Sequence, residues 1–344
     1  MEKTYPMALM TAPGRVEFRE RKLPRLSSKD VLIRVKASSI CGSDLHIFKG
    51  KHPSVSLPVA IGHELSGEVL RIGKEVSKVR EGDRGVVEPV IVCGECHFCR
   101  RGEYHHCLNI SFQYRRGQGA FAPYFVAHEN WVHLLPGNIS FEEGALMEPL
   151  SVAVHAIKRG NLRLGDSVAI FGAGAIGLLV LMLSRLSGAG AVFVADVQEH
   201  RLKKAKELGA SEVFDNARGD AIEKIFEKTS QLGVDRSFEA VGIEGTLLQS
   251  LRVLKKGGAS VLVGIFENPE VKIPANIFIQ REIALIGSQG YCWDFQTALK
   301  MLGGEKIKLR QIITHVLPLP SLQKAFEYLL DPKRKAIKIV IQCA

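Results

Sequence analysis

The segment VAIFGAGAIGLLVLML, residues 168–183, sets the glycine turn Gly172-Ala-Gly174-Ala175-Ile176-Gly177 between a short apolar strand pattern and a helical one. Few folds accept that junction. Gly172 permits the tight turn, Gly174 lets backbone approach a pyrophosphate, and Gly177 lets helix and strand pack closely. The N–H groups opening the helix, from Ala175 and Ile176 on, then face phosphate with the positive end of the helix dipole. A lone pattern of this kind is weak, but here the context is complete. AVFVAD forms the next strand and ends at Asp196, about 20 residues on. An acidic side chain there accepts both ribose hydroxyls of NAD and repels the 2′-phosphate of NADP; it also suits the N-cap of the helix that follows. Arg201, a turn later, is placed to contact the adenosine ribose. Val241, Gly264 and Ser288 complete the residues expected to border the cofactor.

The same alternation continues through EVFDN, VDRSFEAVG, GASVLVGIF and EIALIGS, with helical patterns AIEKIFEKTSQ and GTLLQSLRVLKKG between them. Strands alternating with helices predict a doubly wound parallel sheet over residues 151–289. Residues 1–150 read differently. Runs such as DVLIRVKASS and LSGEVLRIG are β-branched, punctuated by Gly and Asp, and lack long helical periodicity. They predict a β-rich domain, completed by residues 290–344, where KAIKIVIQ reads as a closing strand. SVAVHAIKRG, 151–160, predicts a helix ending at Gly160.

The stretch CGECHFCRRGEYHHC, residues 93–107, holds four of the seven cysteines. A chain of 344 residues has apolar material for two cores and needs no disulfide staple. No secretory leader is visible, and no apolar run approaches the roughly 20 residues of a membrane helix. A cytoplasmic, reducing setting is therefore expected, where clustered cysteines bind metal more often than they pair. Cys93, Cys96, Cys99 and Cys107 suit a closed tetrahedral structural zinc site. An iron–sulfur cluster has no redox partner in the sequence, and His97, His105 and His106 read as bystanders. The net charge of +10 is spread along the chain beside glutamates, without aromatic-interleaved basic runs. Nucleic-acid and membrane partners are not expected.

A second donor set is scattered: Cys41-Gly-Ser43-Asp44-Leu-His46, Gly62-His63-Glu64 and Glu148-Pro-Leu. Each alone has a bland explanation, such as a buried thiol or a surface ion pair. Beside a nicotinamide fold they offer one thiolate, one imidazole and two carboxylates, a zinc site with a position open to substrate.

GHELSGEVLRIGKEV resembles the signature of zinc-containing medium-chain alcohol dehydrogenases, with Gly62, His63, Glu64, Gly67, Gly73 and Val76 in place. CGSDLH, the four-cysteine stretch and the glycine turn follow in that family's order, so the resemblance covers essentially the whole chain. EGALMEPLSVAVHA, with Glu148 where ordinary alcohol dehydrogenases carry a second cysteine ligand, is similar to the polyol branch typified by sorbitol dehydrogenase. The resemblance implies a GroES-like catalytic domain with a structural zinc lobe, a Rossmann domain, NAD and two zinc ions per chain. It implies Cys41 and His63 as ligands, with Glu64 and Glu148 competing for the third place. It implies Ser43 and His46 as a proton relay; Ser43 also suits a helix N-cap. The expected reaction is hydride transfer to NAD from a secondary alcohol of a polyol, sugar alcohol or sugar acid. L-threonine 3-dehydrogenase and 2,3-butanediol dehydrogenase are the enzyme alternatives, and a catalytically silent zinc- and nucleotide-binding protein the third. Relatives form dimers or tetramers. Arg115 and Arg116 either hold a substrate carboxylate or form a solvated basic turn, and Phe48, Tyr291 and Trp293 are candidates to shape the pocket. Cys292 and Cys343 receive no function.

Overall fold

A computed structural model describes residues 4–112 and 116–343. Arg115 falls outside the described residues. The chain forms two compact units, one running to Pro149 and resuming at Phe295, the other spanning Leu150–Asp294.

The unit Leu150–Asp294 contains a six-stranded sheet in which every pairing is parallel. Its strands lie in the order Glu212–Asp215, Ala191–Asp196, Ser167–Phe171, Val234–Glu239, Leu254–Leu262, Ala284–Gly287. The order reverses at Ser167–Phe171, the first strand, whose carboxyl end runs into the glycine turn. Ligands of open parallel sheets bind at such a reversal. Phe171, Phe193, Phe214, Leu247 and Leu251 pack one face of the sheet. Each side chain so buried contributes roughly 1.5–3 kcal/mol. The helix pattern GTLLQSLRVLKKG stops earlier than its composition suggests. The helix is Glu244–Arg252, and Leu254 already begins the next strand. Gly257, at φ +73°, and Gly258 give a conformation no helix can continue through.

In the other unit the strand Asp30–Ser39 is the hub of a seven-stranded sheet. It pairs antiparallel with Glu64–Ile72, Tyr124–His128 and Lys338–Gln342. Its alternating side chains feed a core of Ile33, Val35, Leu65, Val69, Phe121, Phe125, Phe326 and Ile339. Phe48 belongs to that core and stacks on Phe326 with ring centroids 4.8 Å apart. In the unit Leu150–Asp294, Tyr291 is buried, whereas Trp293 is exposed and holds a φ of +63°. A second sheet joins the hairpin Thr4–Ala12 and Arg15–Lys22 to Val59–Ala60.

Two local expectations change. The helix Gly42–Phe48 is capped by Cys41, not Ser43. The Asp44 carboxylate accepts the Cys41 N–H at 3.1 Å, which makes Asp44 the reciprocal partner of the cap. The helix predicted from residue 151 begins at Met147 and runs to Arg159, so Glu148 lies in its first turn. Pro149 is compatible with that position because first-turn N–H groups have no intrahelical acceptor.

Gly62 sits at φ +88°, and a Cβ there would lie 2.7 Å from the Phe121 ring. Gly62→Ala combines left-handed strain with overpacking, and about 2–4 kcal/mol of stability should be lost in urea unfolding.

Candidate functional site

The register of the hub strand decides which side chains meet. Ser39 lies opposite Glu64 in one pairing and opposite Val340 in the other. Cys41 follows the end of the hub strand, and His63 immediately precedes the strand that Glu64 begins. Ligand atoms of Cys41, His63 and Glu64 consequently all lie within 4.8 Å of one another. Glu148, in the first turn of the helix Met147–Arg159, is buried and acts electrostatically on His63, but its carboxyl lies outside that converging set. No hydrogen-bond donor among the described residues reaches its carboxyl.

Asp44 ties these segments together. Fully buried, it accepts the N–H of Cys41 at 3.1 Å and that of Gly62 at 3.2 Å. Its Oδ1 lies 3.7 Å from His63 Nδ1. A carboxylate on one ring nitrogen orients an imidazole and leaves Nε2 for a cation. Lys338 closes the back of the site: its ammonium donates to both oxygens of Glu64 and to the Ile40 carbonyl.

The electrostatics call for a cation. Burial pushes the His63 pKa down, yet the Cys41 sulfur, Asp44 and Glu148 outweigh it and raise His63 well above its usual range. Burial lifts Glu148 to about 7 and also raises Asp44. One sulfur and three carboxyls crowd a space where Lys338 is the fixed positive charge nearest to Glu64. A divalent ion would supply the missing charge, and the sulfur, imidazole and carboxyl donors suit zinc with a ligand position open. Ser43 and His46 lie on the helix Gly42–Phe48, three residues apart and so on one face.

The four-cysteine loop gives a second cage. Cys93, Cys96, Cys99 and Cys107 bring their sulfurs within 4.8 Å of one another, and none is disulfide-bonded. Cys93 Sγ lies 3.5 Å from Cys107 Sγ and 4.0 Å from Cys99 Sγ. A tetrahedron with zinc–sulfur bonds of 2.3 Å has edges of about 3.8 Å, so the cage has the right size. Backbone N–H groups of Cys99 and Leu108 pull Cys96 down to about 6, whereas burial pushes Cys99 up to about 12. Tyr104, within the loop, donates to Glu88 Oε1 at 2.5 Å, and His133 lies 3.1 Å from Oε2. This anchors the loop to the sheet. His97 and His106 are exposed around Phe98.

In the other unit the glycine turn has the shape its sequence demands. Gly172 holds φ +100°, and a Cβ on Gly177 would stand 1.8 Å from the Gly172 carbonyl oxygen. Gly174 caps the helix Ala175–Leu186 and has open space where a Cβ would be. Asp196 is buried and already takes the N–H of Ala173 at 2.7 Å and of Gln198 at 2.8 Å. Gln198, not Asp196, caps the next helix. Arg201 reaches to 3.8 Å from Asp196, and its Nε is buried without a partner. Val241, Gly264 and Ser288 follow the carboxyl ends of three successive strands, and the Ser288 hydroxyl is likewise buried and unpartnered. Arg116 is exposed.

Sequence reasoning quoted Asp44 without giving it a role and passed over Ser39 and Lys338. The signal for Asp44 was available, as an acidic residue three positions after a helix cap. Lys338 carried no local signal, because its partner is 274 positions away.

Comparison with known proteins agrees along the chain. The family model described as alcohol dehydrogenase GroES-like domain matches residues 27–137, and that described as zinc-binding dehydrogenase matches residues 175–303. The chain is 35% identical to D-arabitol-phosphate dehydrogenase of Enterococcus avium, covering 99% of this chain and 98% of that one. It is 31% identical to sorbitol dehydrogenase of Bacillus subtilis, covering 97% and 96%. The crystal structure of a zinc-binding dehydrogenase from Sinorhizobium meliloti bound to NADP superposes with a TM-score of 0.92. That protein is 29% identical, over 99% of this chain and 100% of the other. No helix among the described residues is long and apolar enough to cross a membrane.

Asp44→Asn removes the charge beside His63 and sets an amide NH2 against one of the two backbone N–H groups that Asp44 accepts. Zinc affinity measured by chelator competition should fall about 10–100-fold, and urea unfolding should show about 1–3 kcal/mol of lost stability.

Proposed function

Because the chain belongs to the zinc-dependent medium-chain alcohol dehydrogenase family, we propose that this enzyme oxidises a secondary hydroxyl of a polyol, sugar alcohol or sugar acid, with NAD accepting the hydride. The observation that carries the reading is the convergence of Cys41, His63 and Glu64, with a buried carboxyl of Glu148 in place of a second sulfur. Oxygen-rich coordination suits a substrate that offers two vicinal oxygens. The relatives named for sorbitol and arabitol phosphate support the same class.

When bound, zinc supplies Lewis acidity of the kind that takes water from pKa 15.7 to about 7, on the order of 11–12 kcal/mol toward ionising a hydroxyl. The side chains do the rest. Cys41, His63 and the carboxylate of Glu64 or Glu148 would hold the cation, while Asp44 steadies His63 and Lys338 holds Glu64 from behind. Ser43 accepts the proton leaving the substrate hydroxyl, and His46, on the same helix face, passes it toward solvent. Cys93, Cys96, Cys99 and Cys107 would hold a second zinc, whose role there would be to fix the loop, since four sulfurs would fill its ligand positions. Gly172, Gly174, Ala175, Ile176 and Gly177 cradle the pyrophosphate. Asp196, with lone pairs to spare beyond its two backbone bonds, receives the adenosine ribose hydroxyls. Arg201 lies beside it, and Val241, Gly264 and Ser288 border the nicotinamide end.

The test is a screen of polyols, their phosphate esters, sugar acids, inositols, 2,3-butanediol and threonine with NAD and NADP, followed by nicotinamide absorbance at 340 nm. Turnover confined to simple primary alcohols, or absent with every substrate, would refute the reading. Cys41→Ser should abolish turnover and remove one of about two zinc ions per chain while NADH still binds. Asp196→Ala should raise the KM for NAD at least tenfold and improve relative use of NADP. An unchanged cofactor ratio would remove Asp196 from that role.

A further inference from the structure

A cleft of about 470 Å³ opens between the loop 25–28 and the turn that follows the strand Glu64–Ile72. Three of its side chains are exposed cations, Arg25, Arg71 and Lys74, and one is an acid, Glu81. Several other cations of the same unit have acids beside them: Arg15 lies 2.7 Å from Glu17, Lys36 3.6 Å from Glu68 and Arg101 3.1 Å from Glu103. Among the described residues no carboxylate oxygen, those of Glu81 included, comes within 4.0 Å of a charged nitrogen of Arg25, Arg71 or Lys74. Three cations against one acid leave two positive charges in excess, in a concave space where field lines concentrate.

The walls of the cleft are held by backbone. Gly73 N–H donates to the Asp30 carbonyl at 2.8 Å, and Glu75 N–H donates to the Ser28 carbonyl at 2.8 Å. The Asp30 carboxylate accepts the Ser27 N–H at 2.8 Å. A Cβ on Gly73 would run into the carbonyl oxygens of Ser27 and Ser28, so loop and turn lie directly against each other. The Ser27 and Ser28 hydroxyls make no hydrogen bond among the described residues and stay available as donors. Leu26 and Ile72, both half-buried, add apolar surface to the lining. Arg71 and Ile72 end the strand that Glu64 begins. At about 3.3 Å per residue, the cleft therefore lies roughly 20 Å from the metal donors.

We propose that this cleft binds the phosphate monoester of a small organic molecule, at a site separate from the metal centre and from the glycine turn. A phosphate monoester is close to a dianion at neutral pH, which matches the two excess cations. Arg25 and Arg71 each bring a planar fork of N–H donors suited to phosphate oxygens, and Lys74 adds a point charge. The serine hydroxyls serve the remaining oxygens, and the organic part lies against Leu26 and Ile72. The volume falls within the roughly 300–1,000 Å³ of small-molecule sites and exceeds what a bare phosphate ion fills.

Isothermal titration calorimetry on the full chain tests this, with NADH at saturation so that the glycine turn is closed to phosphate. The probes are phenyl phosphate, inorganic phosphate and phenol. Phenyl phosphate should bind about threefold or more tightly than inorganic phosphate, because its ring covers apolar lining, and phenol should give no heat. Arg71→Gln should weaken phenyl phosphate about fivefold or more, the loss of a charge-assisted pair of hydrogen bonds. Arg71→Lys should recover part of that loss, since the charge returns without the fork. Arg25→Gln/Arg71→Gln/Lys74→Gln should not bind it, and should unfold in urea like the unmodified chain because all three side chains are exposed. Lys203→Gln, which removes an exposed lysine of the other unit, should stay within about twofold. Three results would overturn the proposal: no heat from phenyl phosphate with the unmodified chain, binding that survives in the triple variant, or equal weakening by Lys203→Gln, which would mark diffuse charge. Inorganic phosphate binding as tightly as phenyl phosphate would overturn the ester assignment and leave a site for the bare ion.

Discussion

The strand Asp30–Ser39 is the piece on which the rest depends. Its hydrogen bonds hold strands from three distant parts of the chain at once, and its side chains line the core of their unit. Because side chains alternate with a period of two, a one-residue slip would turn every inward residue to the outer face. The pairing with Glu64–Ile72 shifts by one residue between Val35 and Ala37, so the stretch that buries Ile33 and Val35 and the stretch that sets Ser39 opposite Glu64 stand in different registers. That irregularity brings Glu64 beside the end of the hub strand, next to Cys41.

The two units solve different problems with different strand logic. The parallel sheet gathers the carboxyl ends of its strands, where Gly172, Asp196, Val241, Gly264 and Ser288 lie, so its site is assembled from turns. In the antiparallel sheet the chemistry sits at strand ends and in the segments beside them, and charges must be balanced among buried neighbours. Asp44 and Lys338 illustrate the second case. One acid steadies an imidazole, and one ammonium steadies an acid; removing either partner would leave a buried charge uncompensated, typically at a cost of about 3–5 kcal/mol.

Much of this was legible in the residues. The glycine turn, the strand–helix alternation and the four-cysteine spacing are short-range patterns with one dominant physical explanation each. The donors Cys41, His63, Glu64 and Glu148 were visible as types, though only the strand register shows that the first three converge. What stayed hidden was of two kinds. Local competition misplaced the cap, because Ser43 has the hydroxyl that caps favour while Asp44 makes the actual bond to Cys41. Long-range pairing concealed Lys338, which looks like any strand-edge lysine until the sheet brings it under Glu64. Phe48 shows the reverse error: an aromatic near the site turned out to stack in the core on Phe326.

The distance along the chain between Glu64 and Lys338 also has a temporal side. At 5–20 residues per second, a ribosome needs on the order of tens of seconds to cover the 274 positions separating them. Throughout that interval the nascent polypeptide displays a thiol, an imidazole and an acid with no ammonium to temper them. In that interval the Glu64 carboxyl has water for its partner, and only the last strand of the sheet brings the ammonium beside which it can be buried.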